Sequence, residues 1–219
     1  EKEATYKNVK LNGDWTEYDT QGRRKVYKKF ENDMLKKVVL YSNMGSVPAW
    51  EYNIEYPEQQ GDPLSLEVKH LRGDTTEYTN YRYGAEYPID NNSFVADFDK
   101  AKNTGKAYRD GTYEKYANDV LLYSGNYTEG KKDGVWEYDL TEGVRWQKTF
   151  EAGRLVKEYF INIQGKTPFE GDYILKYRGG GMRCLFKIKE GYRNGKSRYY
   201  DRKGIEVRTE KYKEGQLQK

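Results

Sequence analysis

Residues Tyr123 to Leu155 read YSGNYTEGKKDGVWEYDLTEGVRWQKTFEAGRL. Tyr123, Gly125, Tyr127, Gly130 and Gly134 follow the pattern Y-x-G-x-Y-x-x-G-x-x-x-G. Trp136 and Tyr138 then fall on one side of a strand, an Asp-containing turn ends at Gly143, and Trp146, Lys148 and Phe150 alternate before Gly153 and Leu155. Aromatic residues at alternate positions, interrupted by glycine every few residues, spell short strands joined by tight turns.

The unit recurs outward from this stretch. Y-x-x-G occurs at Tyr81/Gly84, Tyr108/Gly111, Tyr127/Gly130, Tyr177/Gly180, Tyr192/Gly195 and Tyr212/Gly215, with Phe150/Gly153 as a conservative seventh. Chance placement of 23 Tyr and 22 Gly would give about two such pairs. The mean spacing, about 22 residues, is that of small supersecondary repeats that cannot bury their apolar faces alone. The N-terminal end carries the same design: Gly13, Trp15, Tyr18-Asp19, Gly22, Val26, Lys28, Phe30, Asp33 and Leu35. The C-terminal end repeats it with Tyr200-Asp201, Gly204, Tyr212, Gly215 and Leu217. Asp33 stands where the other copies have glycine, and Asp tolerates turn conformations.

Tyr123–Leu155 resembles a MORN repeat (membrane occupation and recognition nexus), whose familiar form is Y-x-G-x-W-x-x-G-x-x-x-G. Tyr127 stands where that family usually has Trp, Lys131 fits the usual Lys, and Trp136 occupies a position where a further Gly is common. The likeness is closer to the bacterial variants, in which a Y-x-x-G unit precedes a W-x-Y-D strand and turn, and some of which are labelled antitoxins. It is good over 123–155, fair at both chain ends and poor from about 42 to 100. The resemblance implies an array that serves protein–protein contact, in some eukaryotic members lipid contact, and in a bacterial relative the neutralisation of a partner toxin.

The fold expected is therefore all-β: an elongated array of antiparallel β-hairpin repeats, as a single twisted sheet or open solenoid, without helices. One repeat array should span 1–219, with the clearest repeats at 10–40 and 105–219 and a degenerate or irregular segment at 42–100. That segment holds Pro48, Pro57, Pro63 and Pro88, and proline cannot donate to a central ladder, so edge strands or loops are expected there. Within it Leu64, Leu66, Val68 and His70 alternate as a strand, and Pro88–Asn92 reads as a turn. Tyr173–Ile188 reads as a hairpin around Gly179–Gly181.

Composition narrows the function classes. Leu, Ile, Val and Phe make up about 18% of the chain, a level that points toward disorder. Against it, 23 Tyr, 7 Phe and 4 Trp supply large buriable rings, and the net charge is only +4. With few aliphatics, such a chain covers the faces of a thin sheet rather than building a thick core. The 39 basic and 35 acidic residues are interspersed, which argues for a mixed surface and against nucleic acid. No basic cluster of four to eight residues favours membrane-lipid contact. No apolar run approaches the roughly 18 residues of a spanning helix. The chain begins at Glu1 rather than Met, from which a removed N-terminal segment is expected; export to a periplasm or cell surface is compatible with that.

No catalytic, cofactor or metal residue is assigned. His70 is the single histidine, which excludes sites needing two imidazoles, and its phase with Leu64, Leu66 and Val68 gives it a packing role. The single Cys184 has no neighbouring histidine and reads as an inert thiol. Gly179–Gly181 lacks the Lys-Ser/Thr of a phosphate loop, and Gly165-Lys166-Thr167 has Phe160 where that motif needs glycine. Asp97, Asp99, Asn103 and Gly105 fail a calcium loop because Ala101 takes a ligand position. Carboxylate pairs such as Glu137/Asp139 are too many to single one out. Asn91-Asn92-Ser93 and Asn126-Tyr127-Thr128 are formal glycosylation sequons. The aromatics remain. The leading expectation is a non-catalytic scaffold binding a protein partner, with cell-surface carbohydrate binding by exposed Tyr and Trp as the alternative, and the binding residues unassigned.

Overall fold

The computed structural model describes residues 1–7, 9–42, 47–59, 62–84 and 89–218. The chain divides into two compact units, Glu1–Lys131 and Lys132–Lys219. The first unit holds β1 (Lys2–Lys7), β2 (Lys10–Tyr18), β3 (Arg24–Glu31), β4 (Met34–Tyr41), β5 (Pro48–Glu55), β6 (Leu64–Arg72), β7 (Thr75–Tyr83), α1 (Phe94–Thr104), β8 (Ala107–Ala117) and β9 (Val120–Thr128). The second holds β10 (Lys131–Asp139), β11 (Val144–Glu151), β12 (Arg154–Asn162) and β13 (Thr167–Pro168), followed by β14 (Gly171–Lys176), β15 (Met182–Lys189), β16 (Tyr192–Arg193), β17 (Gly195–Tyr200), β18 (Glu206–Lys213) and β19 (Gln216–Gln218). In the first unit every strand pairs antiparallel with its sequence neighbour, β1 through β9. In the second, β10 to β13 form one such run, and β14-β15-β17-β18-β19 form another sheet, with β16 paired to β15. The fold is all-β, built of hairpin-connected strands in open sheets.

The repeat motif turns out to use its glycines in two ways. Gly130, Gly153 and Gly215 are second residues of two-residue turns, with φ of 79°, 89° and 81° after Glu129, Ala152 and Glu214 that are also left-handed. Two consecutive left-handed residues are what a tight hairpin needs to match strand twist. Asp33 takes the same role after Asn32, with φ 67°. Gly111, Gly134 and Gly195 instead sit inside the next hairpin's first strand, opposite Tyr127, Phe150 and Tyr212.

The two uses are tied together. The turn amides of Gly130, Gly153 and Gly215 donate to the carbonyls of Arg109, Lys132 and Arg193 at 2.8, 2.8 and 2.9 Å, each two residues before an in-strand glycine. Asp110 and Asp133, just before Gly111 and Gly134, accept from the preceding turn residues Glu129 (3.1 Å) and Ala152 (3.3 Å). Each Asp-Gly pair therefore satisfies the polar groups of a neighbouring turn, as buried or crowded backbone groups require.

The stretch expected to be irregular is regular where described. Its prolines cap or flank strands: Pro48 opens β5, and Pro57 and Pro63 lie outside β5 and β6. Between them β5, β6 and β7 are interior strands carrying Tyr52, Ile54, Leu64, Leu66 and Val68, all buried. The absence of helix is also corrected. α1 places Phe94, Phe98 and Ala101 on one buried face, the i, i+4, i+7 spacing of an amphipathic helix. Gly105 ends it in the left-handed conformation. Phe98 meets Tyr52 and Tyr81 edge-on at 6.0 and 5.2 Å, so the helix lids the sheet face and completes the first core. Of the expected turn Pro88–Asn92, Pro88 lies outside the described residues, and Asn91 and Asn92 are in a turn leading to α1.

The second unit has its own core: Val144, Phe160, Tyr173, Cys184, Phe186 and Ile188, drawn from both of its sheets. Tyr173–Ile188 forms the expected hairpin, with Tyr173 paired to Phe186. Among the described residues no helix is long and apolar enough to cross a membrane.

Candidate binding groove

On β10, β11 and β12 register sets two rows side by side. Trp136, Lys148 and Glu158 stand opposite one another in the first, and Tyr138, Trp146 and Phe160 in the second. Side chains directly opposed on neighbouring strands have Cβ atoms only about 5 Å apart, and Lys148 reaches across to the rings of the second row. Lys148 Nζ lies 3.7 Å from the centre of the Trp146 ring and 5.3 Å from that of Tyr138. Phe160 stacks on Trp146 at 5.2 Å with planes 15° apart.

The second sheet of this unit continues the row of rings. Trp146, Phe186 and Tyr199 follow one another at centroid separations of 5.7 and 6.2 Å. Each carries a cation. Besides Lys148 on Trp146, Arg193 lies 4.2 Å over Phe186 and Arg208 lies 4.1 Å over Tyr199. Arg183, on the exposed side of β15, lies 5.9 Å over Tyr177.

These residues line a groove of about 730 Å³, with Leu140, Leu175 and Val207 as apolar wall. Among the described residues, four cations line it and no carboxylate does. The grooves described in the first unit differ: Glu17 joins Lys2 and Lys28 in one, Asp90 and Asp97 join Lys100 and Lys106 in another, and Glu31 and Glu55 join three lysines in a third.

Arg193 is the strut of the site. It is 6% exposed, and its guanidinium donates to Tyr199 Oη at 3.0 Å and Tyr212 Oη at 3.1 Å, and pairs with Glu158 at 3.1 Å. Its Nε and the Nε1 of Trp146 are buried donors without a partner among the described residues. Lys148 reaches Glu158 only at 3.8 Å. Burial pushes its ammonium below the ordinary lysine value; Glu158 opposes this, and the charges of Arg193 and Arg183 push it further down. Arg208 contacts Glu210 at 3.5 Å and remains 60% exposed. Glu210 is held below the usual carboxylate range: burial would raise it, but hydrogen bonds from Tyr199 and Tyr212 and the charges of Arg208 and Arg193 prevail.

The residues weighed in the sequence for catalysis, phosphate or metal lie away from this groove, with one exception. Cys184 lines it, 6% exposed, and burial raises its thiol above the ordinary value against the pull of Arg183, Arg193 and Arg208. A raised, occluded thiol without a base is a poor nucleophile. His70 is in the first unit, on β6, stacked 3.7 Å from Trp50 with planes 8° apart; burial lowers its pKa, with Glu77 opposing. Asp97, Asp99 and Asn103 lie on α1 rather than in a loop. Gly179–Gly181 is a hairpin tip between β14 and β15, and Gly165 and Lys166 form the turn before Thr167 in β13. Glu137 and Asp139 both bind Arg145, at 2.7 and 2.5 Å.

The sequence singled out Trp146 as an aromatic but not Lys148, Arg183, Arg193 or Arg208 as a set. No protein-family model matches the chain, and no curated protein matches it.

Proposed function

We propose that this chain is a non-catalytic, MORN-like hairpin-repeat protein that binds a protein partner through the groove of its second unit. The observation that carries the reading is the lining: aromatic and cationic side chains, three aliphatic residues and one raised thiol, with no carboxylate among the described residues. General acid–base or nucleophilic work needs a group poised to exchange a proton beside its target. Arginine stays charged, and the two acids behind the wall, Glu158 and Glu210, are already committed to Arg193, Tyr199 and Tyr212. What the lining supplies is recognition, since Arg and aromatic side chains dominate protein interfaces. An antitoxin, whose partner is a toxin, would be one form of this function.

The carbohydrate alternative needs bare ring faces on which sugars stack. Trp146 has Phe160 on it and Lys148 over it, and Phe186 and Tyr199 carry guanidiniums. The rings of the groove hold cations rather than wait for sugars, which favours the protein reading.

The test is photocrosslinking in cells of the source organism, with benzoyl-phenylalanine at Tyr177 in the groove or at Tyr78 in the first unit. A discrete protein adduct from position 177, and none from 78, is the expected result. Failure to trap protein at 177, together with retention of the chain on an oligosaccharide resin, would reverse the assignment.

A further inference from the structure

Resting on that reading, we infer that the groove recognises an extended acidic segment of its protein partner, with carboxylates at alternate positions along the row of rings that bear Lys148, Arg193 and Arg208. Three independent observations converge on this.

The first is sign. In a chain whose charges nearly cancel, this lining has four cations and no acid among the described residues. Lys148 stays in the wall although burial disfavours its charge and its nearest carboxylate is 3.8 Å away. A partly desolvated ammonium with so loose a partner is costly, and an incoming carboxylate would offset that cost.

The second is spacing. The three rings that bear Lys148, Arg193 and Arg208 are separated by 5.7 and 6.2 Å. Alternate side chains of an extended peptide are about 6.6 Å apart. Carboxylates at positions i, i+2 and i+4 of such a segment match the spacing of the rings, while the side chains between them point away. Leu140, Leu175 and Val207 offer apolar contact beside it.

The third is hydrogen-bond demand. Trp146 Nε1 and Arg193 Nε are donors on the groove-lining residues that lack an acceptor among the described residues, and Arg193 is more than nine-tenths buried. Buried polar groups in folded proteins are nearly always paired, and these two donors, themselves closed to solvent, would be satisfied by an acceptor that displaces their cover as it enters. Carboxylate oxygens are pure acceptors when ionised.

Single-stranded nucleic acid is also anionic, but proteins that bind it stack bases on open aromatic faces, and these rings are covered by cations. The same covering disfavours a polyuronate.

The experiment uses the full chain and fluorescence anisotropy with four labelled probes. They are a nine-residue peptide alternating Glu with Leu or Ser, its counterpart with every Glu replaced by Gln, oligo-dT, and oligogalacturonate. The Glu peptide should bind, at least about tenfold more tightly than the Gln peptide, and weaken as salt rises. Lys148→Met and Arg208→Gln should each weaken it about three- to tenfold with far-ultraviolet circular dichroism unchanged. Arg208 is exposed enough that its variant keeps the test valid if Lys148→Met misfolds. Equal binding of the Glu and Gln peptides overturns the carboxylate inference but leaves a protein-binding groove in place. Tighter binding of oligo-dT or oligogalacturonate than of the Glu peptide overturns the peptide assignment. No binding of the Glu peptide at millimolar concentration overturns the inference, while the crosslinking result still decides the broader reading.

Discussion

At the scale of single residues, glycine does two different jobs that look alike in the sequence. Gly130 is needed for its backbone: φ is 79°, and a Cβ there would meet only Tyr108 Cβ at an ordinary 3.6 Å. Gly191 has φ 77° as well, but a Cβ would lie 2.5 Å from the Tyr159 ring and 2.9 Å from the Phe160 carbonyl oxygen. The amide of Phe160 donates to the Gly191 carbonyl at 2.8 Å, so this approach is held by backbone and cannot open freely. Gly130→Ala should cost about 1 kcal/mol from the left-handed backbone alone. Gly191→Ala adds overpacking and should cost roughly 2–3 kcal/mol or more. Urea denaturation of both variants checks the order. Equal losses would mean that Tyr159 swings aside without cost and that conformation, not contact, selects glycine at 191.

At the scale of elements, cross-strand pairs do the work that a thick core does elsewhere. His70, Glu77 and Lys115 stand opposite one another on β6, β7 and β8, with Lys115 Nζ 2.5 Å from Glu77 Oε1. Burial raises the Glu77 carboxyl, but the hydrogen bond and charge of Lys115 outweigh it and hold the folded value below 4.5. A depressed carboxylate stabilises the fold above its unfolded value and loses that contribution as pH falls through the folded one. Wild type should therefore be more stable than Glu77→Gln at neutral pH, and the gap should close as pH drops below about 4.5. Thermal melts at pH 7, 5 and 3 measure it; a gap that persists at pH 3 would place the effect in packing rather than charge.

Much at this scale was legible in the sequence. Alternation located the hairpins, and the aromatic-to-glycine interval marked the tight turns at Gly130, Gly153 and Gly215 together with the in-strand Gly111 and Gly195, because both depend on neighbours in the chain. α1 was missed although Phe94, Phe98 and Ala101 carry its stripe and Gly105 its stop. The prolines before it suggest irregularity in the sequence, whereas Pro48 opens a strand and Pro57 and Pro63 lie just outside two others. The groove was not legible at all. Lys148, Arg183, Arg193 and Arg208 are spread over four strands and sixty residues of otherwise mixed charge, and only the pairing of β11, β15, β16 and β18 within the second unit sorts them from their acidic neighbours.

At the scale of the whole molecule, pairing follows chain order through the first unit and nearly so through the second, so each strand depends mainly on its immediate neighbours. Stability in such arrays is approximately a sum of local terms and nearest-neighbour interfaces, and cooperativity decays along them. The two clusters of buried residues share no member: one gathers Leu35, Tyr52, Leu66 and Phe98, the other Phe160, Tyr173 and Phe186. A single all-or-none transition is then not expected. Native-state hydrogen exchange followed by mass spectrometry should give one opening free energy for amides of β4 to β7, beneath the lid of α1, and a different one for β11, β12 and β15. The strands at the chain ends, β1 with no buried residue and the three-residue β19, should exchange with the least protection. One common free energy across both clusters would show a cooperative block, and the description of stability as a sum of neighbouring hairpins would fail.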